Sequence, residues 1–151
     1  MEETIVYLDS SSTIKRYIME PGSTLVKNVY QKAYSGEVTL AFSTWNIGEI
    51  LGAFDKAKMQ DRLSLQKYMA SKKRFLFEAR RLVKLGILLL VPAKTGLLSE
   101  SWKLIEKHHV YQADALQIVS AKAVDASEFL TSDKGLFEIA KKEKLNSTYT
   151  A

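Results

Sequence analysis

Short apolar runs separated by helix-length amphipathic stretches constrain this chain more than any other feature. Residues 4–8 (TIVYL), 38–43 (VTLAFS), 87–91 (ILLLV) and 128–131 (EFLT) are such runs, and residues 147–150 (STYT) offer a last, edge strand. Helical patterns lie between them. One begins near Ser23 after Gly22, and one is N-capped at Ser43–Thr44 and runs through Ile47, Ile50, Leu51 and Phe54. A long basic one covers 62–84 and ends at Gly86, two more cover 96–107 and 112–124, and another follows Asp133. Strands that are apolar on both faces and alternate with helices belong to a parallel sheet covered on both sides. The expected fold is α/β, a three-layer α/β/α arrangement with a central, mainly parallel sheet, forming one domain over 1–151.

Composition excludes several classes. The chain has no cysteine, which rules out a disulfide framework and any thiolate metal site. Its most apolar stretch, 85–93, is too short to span a bilayer and holds Gly86 and Pro92. Met1-Glu2-Glu3 is acidic where a secretory leader needs positive charge, so the expected location is cytoplasmic, with no membrane partner. A net charge of +5 permits a polyanionic partner without requiring one.

Several acids stand where structure alone does not call for them. Asp9 directly follows the run 4–8, and Asp133 closes the run 128–131. In a parallel sheet both fall on the carboxyl rim, where functional groups collect near a reversal of strand order. The same residues also read as turn and helix caps, since "DSSS" and "SDKG" suit free helix N–H groups. Asp114 opens the apolar helix 112–124 and projects with Ile118 and Ala121, away from Leu116, Val119 and Ala123. That side is apolar, so Asp114 does more there than stabilise a helix dipole. Glu49 projects away from the Ile47–Ile50–Leu51–Phe54 stripe, beside Trp45, Gly52 and Ala53, and a solvated glutamate fits that pattern equally. Asp55, Asp61 and Glu78 read as surface residues. Adjacent His108 and His109 point about 100° apart on a helix and read as exposed cations at its C-terminus.

Four segments taken in order are similar to the blocks of the PIN-domain ribonucleases, above all the small toxins of the VapC type. They are "VYLDSSSTIKRYIMEPGS" (6–23), "STWNIGEILGAF" (43–54), "HHVYQADALQIVSA" (108–121) and "FLTSDKGL" (129–136). The resemblance implies that Asp9, Glu49, Asp114 and Asp133 converge on one acidic pocket that is catalytic and holds Mg²⁺ or Mn²⁺. It assigns Thr131 to orienting carboxylates or bound water, and Ser10, the residue after Asp9, to the same task. Oxygen-only donors suit these hard cations rather than zinc. Lys15, Arg16 and Lys134 follow the acids closely and are candidate RNA contacts.

The function implied is a metal-dependent endoribonuclease, the toxin of a toxin–antitoxin pair, with an RNA substrate, a protein antitoxin and a homodimeric state. A PIN nuclease of RNA processing without an antitoxin, and a catalytically silent binding protein whose acids only cap helices, are the alternatives. The basic segment "KKRFLFEARRLVK" (72–84) reads either as a helix burying Phe75, Ala79, Leu82 and Val83 or as a rim for RNA or a partner.

Overall fold

A computed structural model describes residues 3–151. Among these residues the order is β1 (Ile5–Leu8), α1 (Ser10–Ile14), α2 (Ser23–Tyr34), β2 (Thr39–Ser43), α3 (Thr44–Met59) and α4 (Leu65–Lys84). It continues with β3 (Leu88–Val91), α5 (Thr95–His108), α6 (Gln112–Ala123), β4 (Glu128–Thr131), α7 (Lys134–Lys142) and β5 (Ser147–Tyr149). The strands form one sheet in the order β3-β2-β1-β4-β5, and every pairing is parallel.

The three layers follow from alternation of side chains along continuously apolar strands. Val6, Leu8, Leu40 and Phe42 face one core with Tyr30, Phe54 and Phe75 of α2, α3 and α4. Ile5, Tyr7, Ala41 and Phe129 face the other, with Leu104, Leu116, Ile118 and Leu136 of α5, α6 and α7. Phe54 and Phe75 meet edge-to-face at 6.3 Å, a favoured aromatic geometry. Burying side chains of this size contributes about 1.5–3 kcal/mol each. The outer strands β3 and β5 are the less buried ones, and β5 is only three residues long. As expected for an edge, it pairs on one side only.

From β1 the chain crosses to β2 on one side, whereas β4 lies on the other side of β1 and continues outward to β5. Strand order therefore reverses between β1 and β4, which opens a crevice at their carboxyl ends. The register pairs Leu8 with Leu130, and the Asp9 N–H donates to the Leu130 carbonyl at 3.1 Å. Asp9 is thereby set at the rim beside Thr131.

Several expectations are corrected. The five-residue helix α1 is absent from the expected helical patterns, although Asp9 caps it as the "DSSS" cap reading allows. Glu78 is not a solvated residue. Its carboxylate accepts two hydrogen bonds from Arg16 at 3.0 Å and one each from Tyr17 and Tyr34 at 2.9 Å, which ties α4 to the α1–α2 segment. Burial alone would raise its pKa, but these donors outweigh burial and hold it below the usual carboxylate range. His108 is not exposed either: it lies against Glu143 at 2.8 Å, where Lys107 and Lys122 also converge. Burial works against the Glu143 charge, yet the contacts from Lys122, His108 and Lys107 bring its pKa down to about 2. His109 is exposed as expected and ends α5 in the left-handed conformation. On α4, Phe75, Ala79 and Leu82 are buried as expected, but Val83 is exposed.

Among the described residues no helix is long and apolar enough to cross a membrane. Gly22 has a structural task at the α2 N-cap. Its φ is +92°, and a Cβ there would stand 1.6 Å from the Thr150 carbonyl oxygen, so the end of the chain packs directly on glycine backbone. Gly22→Ala is expected to destabilise the protein by about 3 kcal/mol or more. Gly36→Ala, at similar φ but with open space around it, should cost only about 1 kcal/mol. Urea unfolding of the two variants checks this; equal losses would contradict it.

Candidate active site

Asp9 is the buried centre of the rim, with 4% of its surface exposed. Its Oδ1 accepts the Ser12 N–H at 2.9 Å and so caps α1. The Ser11 hydroxyl donates to both carboxylate oxygens at 2.7 and 2.8 Å, and the Thr131 hydroxyl donates to Oδ2. Each hydroxyl is aligned from behind: the Ser132 N–H donates to Ser11 Oγ and the Asp133 N–H to Thr131 Oγ1, both at 3.0 Å. The carboxylate is thus locked to the ends of β1 and β4 together. Burial pushes its pKa up to about 6, against the lowering effect of Thr131, Ser11 and Ser12.

The other three acids approach from different elements. Asp133 follows β4, caps α7 by accepting the Leu136 N–H at 3.0 Å, and is exposed. Glu49, on α3, is exposed, and the Ser10 hydroxyl donates to its Oε1 at 2.7 Å, which links it to the residue after Asp9. Asp114, half-buried, sits in the first turn of α6. The whole run from Ala115 to Ala121 is buried, so α6 is enclosed all round rather than on one face, while Ala123 is exposed. Tyr7 donates to Gln117 Oε1 at 2.7 Å, which fixes α6 to β1 one turn beyond Asp114. Burial raises the Asp114 pKa, and the charges of Asp133 and Glu49 raise it further. Acids from opposite faces of the sheet therefore share one electrostatic field.

Among the candidate cations, Lys134 is exposed at the first position of α7, beside Asp133. Lys15 and Arg16 are engaged inside the fold. Lys15 is 5% exposed and donates to Glu20 at 3.1 Å and to the Pro21 carbonyl at 2.6 Å. Arg16 is held by Glu78 and lies over the Tyr30 ring. Two polar residues at the site escaped the sequence reasoning. Ser11 lay hidden in "DSSS", where only the two-residue spacing from Asp9 hints at its role. Asn46 is fully buried, donates to the Leu8 carbonyl at 3.2 Å, and leaves its Oδ1 without a partner.

A sequence model described as the PIN domain matches residues 6–142. The chain belongs to the PIN domain family. PIN domains are generally nucleases. A search of curated proteins gives no match. Among solved structures the fold is similar to that of VapC20 from Mycobacterium tuberculosis, a sarcin–ricin loop cleaving toxin. That likeness has a TM-score of 0.63 and 13% identity, and covers 87% of this chain and 92% of that one. FitAcB from Neisseria gonorrhoeae gives a TM-score of 0.65 at 16% identity, covering 96% and 97%. FitAB bound to the IR36 DNA fragment gives 0.63 at 17%, covering 96% and 94%.

The acidic donors of this PIN domain are all oxygen, the chemistry that hard divalent cations take. Among the described residues no group of three or more acidic or histidine side chains is placed to hold a metal ion. Mg²⁺ needs no such group, because it usually keeps several waters and takes one or two carboxylates plus substrate phosphate. The mutual repulsion felt at Asp114 favours a cation, and the unpartnered Asn46 Oδ1 adds a neutral acceptor near the end of β1.

A carboxyl group whose pKa rises on folding binds its proton more tightly folded than unfolded. Asp9 therefore lowers stability as pH climbs from its ordinary 3.8 through about 6, and the loss is constant above that. In EDTA, the stability difference between the protein and Asp9→Asn should shift by roughly 3 kcal/mol across this window, with the wild type losing ground. Denaturant unfolding at several pH values reads it; parallel pH curves would contradict it.

Proposed function

We propose that this PIN domain, acting as one unit over 1–151, is a divalent-metal-dependent endoribonuclease and the toxin of a toxin–antitoxin pair. The observation that carries this reading is the placement of Asp114 where the charges of Asp133 and Glu49 add to burial in raising its pKa, with Thr131, two residues before Asp133, donating to Asp9. Acids gathered only as helix caps have no reason to crowd one another. Asp9 and Asp114 would hold Mg²⁺ or Mn²⁺, with Asp133 and Glu49 beside them. A bound cation supplies charge stabilisation at the phosphoryl oxygens and lowers the pKa of water.

The remaining work falls to the chain itself. Thr131 and Ser11 keep the Asp9 carboxylate in one orientation, and Ser10 ties Glu49 to the residue after Asp9. Lys134 offers an exposed charge for an RNA phosphate, and the net charge of +5 attracts the polyanion at longer range.

The antitoxin reading is supported by a groove of about 560 Å³ along α4. Exposed Met69, Leu76 and Phe77 are interleaved there with Lys72, Lys73 and Arg80, which suits an acidic amphipathic helix. The structural likeness to VapC20, itself a toxin, supports the same assignment. A homodimer and a cytoplasmic location complete the proposal, the first resting on the VapC resemblance and the second on RNA as substrate.

Labelled structured RNA should be cut by the purified protein in Mn²⁺ or Mg²⁺ and left intact in EDTA. Asp9→Asn and Asp114→Asn, each shown to be folded, should lose activity by about 100-fold or more. Thr131→Val, which acts through Asp9, should lose about 10-fold. Cleavage that persists in EDTA or in folded Asp9→Asn would overturn the assignment.

A further inference from the structure

Large aromatic side chains are normally placed where their area is buried, since leaving them in water forfeits that stabilisation. Both tryptophans of this chain break the pattern. Trp45 is 47% exposed and Trp102 is 53% exposed, and Tyr111 is 85% exposed. Their positions are not scattered. Trp45 stands four residues before Glu49 in α3, on the same helix face. Tyr111 is the N-cap residue of α6, one turn before Asp114. The Trp102 indole N–H donates to Gln112 Oε1 at 3.1 Å, and Gln112 in turn donates to Ser101, so the exposed ring is held against the start of α6.

The helices α3 and α6 cover opposite faces of the sheet, and both begin at its carboxyl rim. Each of the two acids that enters the pocket from a helix thus has an exposed aromatic one turn upstream. Trp45 shares the helix that carries Glu49, and Tyr111 with Trp102 stands at the start of the helix that carries Asp114. The Trp102 ring, fixed by a hydrogen bond yet open to solvent, is prepared for a flat partner, and the Trp45 and Tyr111 rings are likewise open to one. Bases present such faces only where they are unpaired; in a duplex they are stacked on one another.

We propose that Trp45, Tyr111 and Trp102 form stacking platforms for unpaired bases on either side of the phosphate presented to the acidic pocket. This rests on the nuclease assignment above, but its test does not depend on turnover.

Because the chain has only these two tryptophans, its intrinsic fluorescence reports the rim directly. The protein in EDTA is titrated with an oligoribonucleotide of mixed sequence, once as a single strand and once annealed into a duplex. The single strand should quench the fluorescence and the duplex should quench it little. Trp45→Leu and Tyr111→Leu, checked for folding by circular dichroism, should each bind the strand about 10-fold more weakly, and Trp45→Phe should restore binding. In the cleavage assay the leucine variants should raise KM and leave kcat nearly unchanged.

Equal quenching by strand and duplex, or full affinity in both leucine variants, overturns the proposal. A change in sedimentation of those variants with unchanged RNA affinity also overturns it, by assigning the rim to a second copy. If no RNA is cut under any condition, the nuclease assignment fails while the quenching result still decides the platforms. If RNA is cut and KM is unmoved by either leucine change, the platforms fail alone.

Discussion

The carboxylate of Asp9 is buried at the end of a central strand and is denied bulk water, and much of the surrounding structure answers that constraint. An isolated charge there would be expelled or neutralised. Three donors from two segments hold it instead: the Ser12 N–H, the Ser11 hydroxyl and the Thr131 hydroxyl. The two hydroxyls are fixed by backbone N–H groups of Ser132 and Asp133, so strand register and carboxylate orientation are one mechanical unit. The pKa of about 6 shows that the hydrogen bonds compensate burial only in part. The residual cost is what a bound cation would relieve, and it is a cost that packing or helix capping alone would not require.

The parallel sheet turns that local arrangement into a site. With β1 and β4 adjacent and their crossovers leaving in opposite directions, α3 and α6 begin at the same rim from opposite faces. Glu49 and Asp114 then enter a common field although 65 residues of sequence separate them. Polar ties keep the supporting helices in place. Glu78 anchors α4 to Arg16, Tyr17 and Tyr34, while Glu143 gathers cations from α5 and α6 near the end of α7.

The sheet was legible because its strands are apolar on both faces and bounded by helical patterns, features that local sequence carries. Asp9 and Asp133 were legible for the same reason: their place at strand ends follows from the strands. What local pattern does not carry is the partner of a polar side chain. Glu78 looked solvated because its neighbours on α4 are lysines and arginines, yet its partner Arg16 lies 62 residues away. The same blindness made Arg16 and Lys15 look like contacts for RNA, and His108 look exposed. Ser11 and Asn46 escaped notice because a hydroxyl in a serine run and an amide in a helix have no periodic signature. Trp45 and Tyr111 could have been placed beside their acids by counting residues, but their exposure could not.

The central claim is that Asp9 and Asp114 are two sides of one cation site built on the β1–β4 reversal. Crystals of the EDTA-stripped protein soaked in Mn²⁺ test it most directly, since the anomalous signal of manganese locates the ion without reference to activity. The account predicts a peak in coordination distance of Asp9 and Asp114 carboxylate oxygens, completed by water and lost in crystals of Asp9→Asn. No peak at saturating Mn²⁺, or an ion bound only at surface acids such as Asp55 or Asp61, would contradict it.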